Sequence, residues 1–201
     1  MNTATTSQTS EVRSHILATG QRIMAGKGYS AVGLNEILTA AGVPKGSFYH
    51  YFGSKDAFGV AMLENYFDDY VAEIDRTMSE PGLTMAQRLM NYWAQWQAAQ
   101  SFQDCQGRCL AVKLGAEVAD LSEPLRLAMR RGTDAIVSRL ADAIAAGVAE
   151  GSLATSADPV QLARTLYQLW LGASVMVKIE RGTEPFAAAL AATRQMLYPA
   201  S

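Results

Sequence analysis

Residues 34–51 read LNEILTAAGVPKGSFYHY, two helical stretches of about two turns each with only Gly-Val-Pro between them. Gly42 can close the first in the left-handed region, and Pro44, with no N–H to leave unpaired, suits the first turn of the second. A corner this tight belongs to an all-helical chain, and the rest of the sequence agrees. No segment sustains the period-2 alternation of a strand, and helix punctuation recurs throughout. A first helix is expected from about Thr9 to Lys27, closed at Gly28. Ser54 can cap a long helix to about Met78, and Glu80-Pro81-Gly82 ends it. Thr84 and Gln87 have capping-box spacing ahead of an aromatic-rich face of Leu89, Tyr92, Trp93 and Trp96. Ser122 with Pro124, Asp158 with Pro159, and Thr183 open three more, which makes about nine helices.

A chain of 201 residues that is 49% hydrophobic can bury a real core without covalent staples. Its two cysteines therefore read as thiols in a reducing cytosol rather than as a disulfide scaffold. No segment resembles a signal peptide or membrane span, so the expected location is cytoplasmic, with no membrane partner. The charge is uneven. Residues 10–60 carry five basic and three acidic side chains, and the rest of the chain carries twelve and sixteen. A mildly basic head on an acidic body suits a DNA-binding module attached to a non-binding one.

Two short helices at a Gly-containing turn signal a helix-turn-helix, whose second helix enters the major groove while the first crosses the backbone. The chemistry of PKGSFYHYFGSKDAF fits that use. Lys45 and Ser47 stand at a helix N-terminus, where free N–H groups favour phosphate, and Gly46 permits close backbone approach. Tyr49 and His50 can bond to phosphate or to a base edge, Lys55 adds a cation, and Phe48 and Phe52 form the packing side. The alternative, that Tyr49, His50 and Tyr51 only pack, fits the spacing equally. Residues 28–58, GYSAVGLNEILTAAGVPKGSFYHYFGSKDAF, resemble the DNA-binding signature of the TetR family. That family usually opens its second helix with Thr or Ser, where this chain has Val32 and Gly33, so one hydroxyl contact to phosphate is missing.

The resemblance implies a homodimer on a palindromic double-stranded DNA operator. It assigns residues 1–9 to a disordered N-terminus, 10–54 to the DNA-binding domain and 55–201 to an effector-binding and dimerising body. Independently, PVQLARTLYQLWLGASVMVKIE, residues 159–180, is apolar almost all round, which implies burial on several sides in a core or a subunit interface. The family resemblance favours the interface.

Cys105 and Cys109 are spaced C-x3-C, and the only histidines, His15 and His50, lie in the head. Two cysteines leave a zinc site short of ligands, so neither a metal nor a cofactor is expected. Gly107 suggests that a helix begins between the cysteines, which would put Cys109 in a first turn beside Arg108 and near Lys113, where dipole and cations favour thiolate. The competing reading makes Cys109 a small apolar filler. Residues 109–129 and 166–186 resemble the NemR-type branch of the TetR family. There the cysteine at the position of Cys109 senses reactive electrophiles and oxidants, and a lysine at the position of Lys178 bonds the oxidised sulfur. Lys178 is the one charged side chain between Arg164 and Glu180. In a buried helix its amine must find a partner, although a lysine near a helix end can also snorkel to water. Cys105 has less support as a sensor.

The expected function is a repressor released from DNA when Cys109 is modified by an electrophile or oxidant. A second possibility is release by a reversibly bound apolar molecule held by Trp93, Trp96, Phe102, Tyr167 and Trp170, although such aromatics also make ordinary cores. A thiol enzyme is disfavoured, since neither histidine lies plausibly near Cys109.

Overall fold

The structure, a computed structural model, describes residues 3–99 and 109–198, with side chains from residue 10 onward. These residues form nine helices and no strand: α1 Thr3–Lys27, α2 Leu34–Ala41, α3 Lys45–Phe52, α4 Lys55–Met78, α5 Met85–Ala99, α6 Leu110–Leu121, α7 Glu123–Ala149, α8 Pro159–Glu180 and α9 Glu184–Leu197. The all-α class expected from the punctuation is the observed one. Phe102 and Cys105 lie outside the described residues.

The caps act as their residue types predict. Gly28 (φ 98°) follows α1, and Gly42 ends α2 in the left-handed region with its N–H on the carbonyls of Leu38 and Thr39. The Ser54 hydroxyl accepts from the N–H of Ala57 at 3.0 Å. Thr84 and Gln87 close a reciprocal capping box: the Thr84 N–H donates to Gln87 Oε1 at 2.9 Å and the Gln87 N–H to Thr84 Oγ1 at 3.3 Å. Asp158 accepts from the N–H of Gln161 at 2.9 Å, with Pro159 in the first turn. Two boundaries differ from the sequence expectation. The α1 backbone is helical from Thr3, because residues 3–9 contain neither Gly nor Pro to stop it. Helix α6 begins at Leu110, so Cys109 immediately precedes the helix instead of lying inside its first turn.

The chain divides into two compact units, residues 1–67 with 113–131, and residues 68–112 with 132–201. The unit that holds α1–α3 thus also takes in the first half of α4 and most of α6. Its core includes Ile16, Met24, Val32, Ile37, Phe48, Phe58 and Leu63, each 0% exposed. Helices α1 and α4 meet at Gly20, where a Cβ would collide with the Phe58 ring. In the second unit the Trp93 and Trp170 rings stack at 4.8 Å, and Trp170 stacks on Phe186 of α9 at 5.7 Å. Among the described residues no helix is long and apolar enough to cross a membrane.

Candidate DNA-binding face and cysteine site

Helix α3 has two faces. Phe48 and Phe52 are buried against Phe58, with ring centroids 5.5 and 5.1 Å from it. Lys45, Gly46, Tyr49 and His50 are exposed, and Ser47 is half-buried. The split follows from eight residues in little more than two turns: positions 48 and 52 stack on one side, and the polar and basic residues take the other. A Cβ at Gly46 would meet nothing within 4 Å, so its own fold does not require a glycine there. Helix α2 is capped by Gly33 without a side-chain hydrogen bond, as its missing hydroxyl dictates.

Lys55, expected to face phosphate, has its ammonium engaged within the unit in the protein without DNA. Its ammonium donates to the Tyr29 carbonyl at 3.0 Å and lies 4.6 Å from the centre of the Tyr29 ring. The Tyr29 hydroxyl in turn donates to the Lys55 carbonyl at 3.0 Å and to Asp56 at 3.3 Å. Burial first, and then the negative Asp56, push the Tyr29 phenol well above its ordinary range. The pair fixes the turn after α1 to the start of α4, and so buttresses the helices between them.

Sequence reasoning missed Glu117, one of the residues that hold this head. Its carboxylate accepts from the backbone N–H of Tyr29 at 2.9 Å and of Ser30 at 2.7 Å. These donors follow Gly28, whose Cβ, if present, would approach Glu117 Oε2 to 3.1 Å. Desolvation acts to raise the Glu117 carboxyl, but the two N–H donors and Lys113 outweigh it and hold the group below its ordinary value.

In the second unit Cys109 is buried, and there is no disulfide among the described residues. Three tyrosines, Tyr92 and Tyr167 buried and Tyr70 half-buried, lie within its electrostatic reach. Tyr70, Tyr92 and Tyr167 are all pushed above their ordinary range, first by burial, with Cys109 contributing to each. The Tyr70 and Tyr92 hydroxyls are 3.2 Å apart. The Tyr167 hydroxyl has no hydrogen-bond partner among the described residues, and neither has Trp93 Nε1. Lys178 is half-buried in the last turn of α8, the helix that also carries Tyr167 and Trp170.

Of the five aromatics expected to line an effector pocket, four come together. Trp96 packs edge-on to Tyr167 at 5.7 Å and to Trp170 at 6.4 Å, and Trp93 lies 6.0 Å from Trp96. Two of their four polar edges are bonded internally: Trp96 Nε1 donates to Ser174 Oγ and Trp170 Nε1 to Thr193 Oγ1, both at 2.9 Å. Among the described residues no group of three His, Cys, Asp or Glu gathers to hold a metal ion.

Residues 16–62 match the model of bacterial regulatory proteins of the tetR family, and residues 86–193 match the tetracyclin repressor-like C-terminal domain. The chain is a member of the TetR family. It is 40% identical to the HTH-type transcriptional repressor NemR of Escherichia coli K12, over 93% of this chain and 94% of NemR. It is also 34% identical to the HTH-type transcriptional repressor DhaR of Mycobacterium sp. GP1, over 94% of each. A crystal structure of the reduced form of E. coli NemR superposes with a TM-score of 0.89 at 40% identity, covering 95% of this chain and 99% of that one. This TetR-family protein is therefore a transcriptional repressor similar to NemR, and its relatives are regulators, not enzymes. TetR-family regulators bind DNA and act as dimers, which gives the exposed face of α3 its context.

Proposed function

We propose that this TetR-family repressor binds a palindromic operator as a cytoplasmic homodimer and leaves it when Cys109 is modified by a reactive electrophile or oxidant. In this reading residues 10–54 read DNA and residues 55–201 sense and dimerise. Lys45, Gly46, Ser47, Tyr49 and His50 face the groove and its phosphates, and Lys55 joins them as a cation near the phosphate chain while tying the turn after α1 to the start of α4. The dimer contact is supported by the outer face of α8, where Val175, Met176 and Ile179 are exposed, Ile179 by 66%.

One observation carries the sensing role: Cys109 is buried directly before α6, within electrostatic reach of Tyr70, Tyr92 and Tyr167, and Glu117 of that helix holds the backbone at Tyr29 and Ser30. An adduct on a packed sulfur must displace its neighbours, because interiors lack spare volume. Helix α6 then carries the shift toward the turn ahead of α2. A dimer must keep its reading helices about 34 Å apart to fill both half-sites, so a small tilt suffices for release. A modification shifts such an equilibrium only as far as it prefers one packing. The relative crystallised in a form described as reduced supports a redox-linked state. Under hypochlorous acid, oxidation of the thiol gives a sulfenic acid. The Lys178 amine, in its neutral form, can then attack that sulfur, forming an S–N bond as water leaves.

A second reading rests on Trp93 Nε1, a buried donor with no hydrogen-bond partner among the described residues inside an aromatic cluster. It makes the effector an apolar molecule with one acceptor, bound reversibly beside Trp93, Trp96, Tyr167 and Trp170. A DNA-shift titration on an upstream palindrome, with and without N-ethylmaleimide, separates the two. Wild type is expected to release and Cys109→Ser to stay bound; release of both alike removes the cysteine mechanism.

A further inference from the structure

Tyr167 is 3% exposed, and its hydroxyl has no hydrogen-bond partner among the described residues. Burying a hydroxyl without a partner is unfavourable, and such a group usually has an acceptor in some state of the protein. The two nearby phenols are arranged differently, since Tyr70 and Tyr92 meet each other at 3.2 Å. The Tyr167 hydroxyl lies within the electrostatic reach of Cys109 without a hydrogen bond to the sulfur. The acceptor that completes it can therefore arrive with whatever becomes attached to that sulfur.

We propose that the Tyr167 hydroxyl is the hydrogen-bond donor for the carbonyl oxygen of an α,β-unsaturated carbonyl compound as Cys109 adds to it. This rests on Cys109 being the modified residue. The sulfur forms a C–S bond to the alkene carbon β to the carbonyl, and the alkene π pair moves onto the carbonyl oxygen as an enolate. The Tyr167 O–H donates to that oxygen, where negative charge develops in an environment with little water to screen it. A proton equivalent to the one lost by the thiol then ends on the α carbon. Nothing leaves and no oxidant is consumed. The hydrogen bond exists only in the modified protein, so it also supplies the differential interaction needed to favour the repacked state.

The test compares two reagents on the full chain, with labelling at Cys109 resolved from Cys105 by peptide mass spectrometry. N-ethylmaleimide develops an enolate; 2,2′-dipyridyl disulfide has no oxygen and reports only the availability of the thiolate. In Tyr167→Phe the ratio of the maleimide rate to the disulfide rate is expected to fall about tenfold, with the disulfide rate unchanged. Tyr92→Phe, which removes a hydroxyl that already has a partner, is expected to keep the wild-type ratio. An unchanged ratio in Tyr167→Phe, or parallel loss of both rates, overturns the assignment while leaving Cys109 as the sensor. Absence of labelling at Cys109 of wild type by either reagent overturns both. Tyr167→Phe removes no hydrogen bond to a described residue, so its melting temperature is expected to match or exceed that of wild type.

Discussion

Glu117→Gln is expected to weaken the DNA-binding unit by an amount that vanishes in acid. The carboxylate accepts from two backbone N–H groups, at 2.9 and 2.7 Å, and hydrogen bonds to a charged group are worth about 1.5–3 kcal/mol each. Glu117 is only half-buried, so solvent screening reduces the combined value to about 1–2 kcal/mol. The glutamine keeps one carbonyl oxygen but turns an NH2 toward the second donor, which then goes unsatisfied. For a chain of this size that loss corresponds to a drop of roughly 3–6 °C in melting temperature at neutral pH. The carboxyl is held below its ordinary value of 4.5 in the folded protein. Its contribution is therefore present above that value and is lost as the pH falls through the folded one. Thermal melts of both proteins by circular dichroism, from pH 7 down to about pH 3.5, test this. The gap between them should close on acidification. A gap that is absent at pH 7, or equally wide at both ends, refutes the clamp.

Three further outcomes follow from the packing. Gly33→Ser supplies the cap hydroxyl that α2 lacks, in a position with no heavy atom within 4 Å of the new Cβ, and should stabilise the chain by about 0.5 kcal/mol in urea unfolding. Gly46→Ala should strengthen α3 by about 0.5–1 kcal/mol yet weaken operator binding in a shift assay, because its Cβ is harmless in the free protein and faces the proposed groove; undiminished affinity would remove α3 from close backbone approach. Ile179→Asp places a charge on the exposed outer face of α8, and sedimentation should show monomer for the variant and the proposed dimer for wild type; a persistent dimer would place the subunit contact elsewhere.

The sequence disclosed whatever depends on neighbours within a few residues. Gly42, Ser54, the Thr84–Gln87 box and Asp158 cap their helices as expected, since a cap is a bond from residue i to residue i+2 or i+3. The inward direction of Phe48 and Phe52 was legible for the same reason. Glu117 was not, because its partners lie 88 and 87 residues away and a lone glutamate on a helix looks like any solvated one. The contact of Lys55 with the Tyr29 ring was hidden for the same reason, since the two come from different parts of the chain. That Tyr70, Tyr92 and Tyr167, from three separate helices, all lie within the electrostatic reach of Cys109 was likewise hidden, and only the aromatic stripe of α5 hinted at it. The start of α6 missed by a residue or two, as helix ends do when a glycine is the sole marker.

The packing unit that contains the reading helix is built from two stretches of chain far apart in sequence, residues 1–67 and 113–131. Grafting is therefore less free than a beads-on-a-string view of these repressors suggests. A chimera that transplants only residues 10–54 onto a foreign body leaves the Tyr29 and Ser30 amides dependent on whatever the host provides at the position of Glu117. Retargeting this protein to a new operator by exchanging heads requires that the exchanged piece and the recipient's sixth helix be chosen as a matched pair.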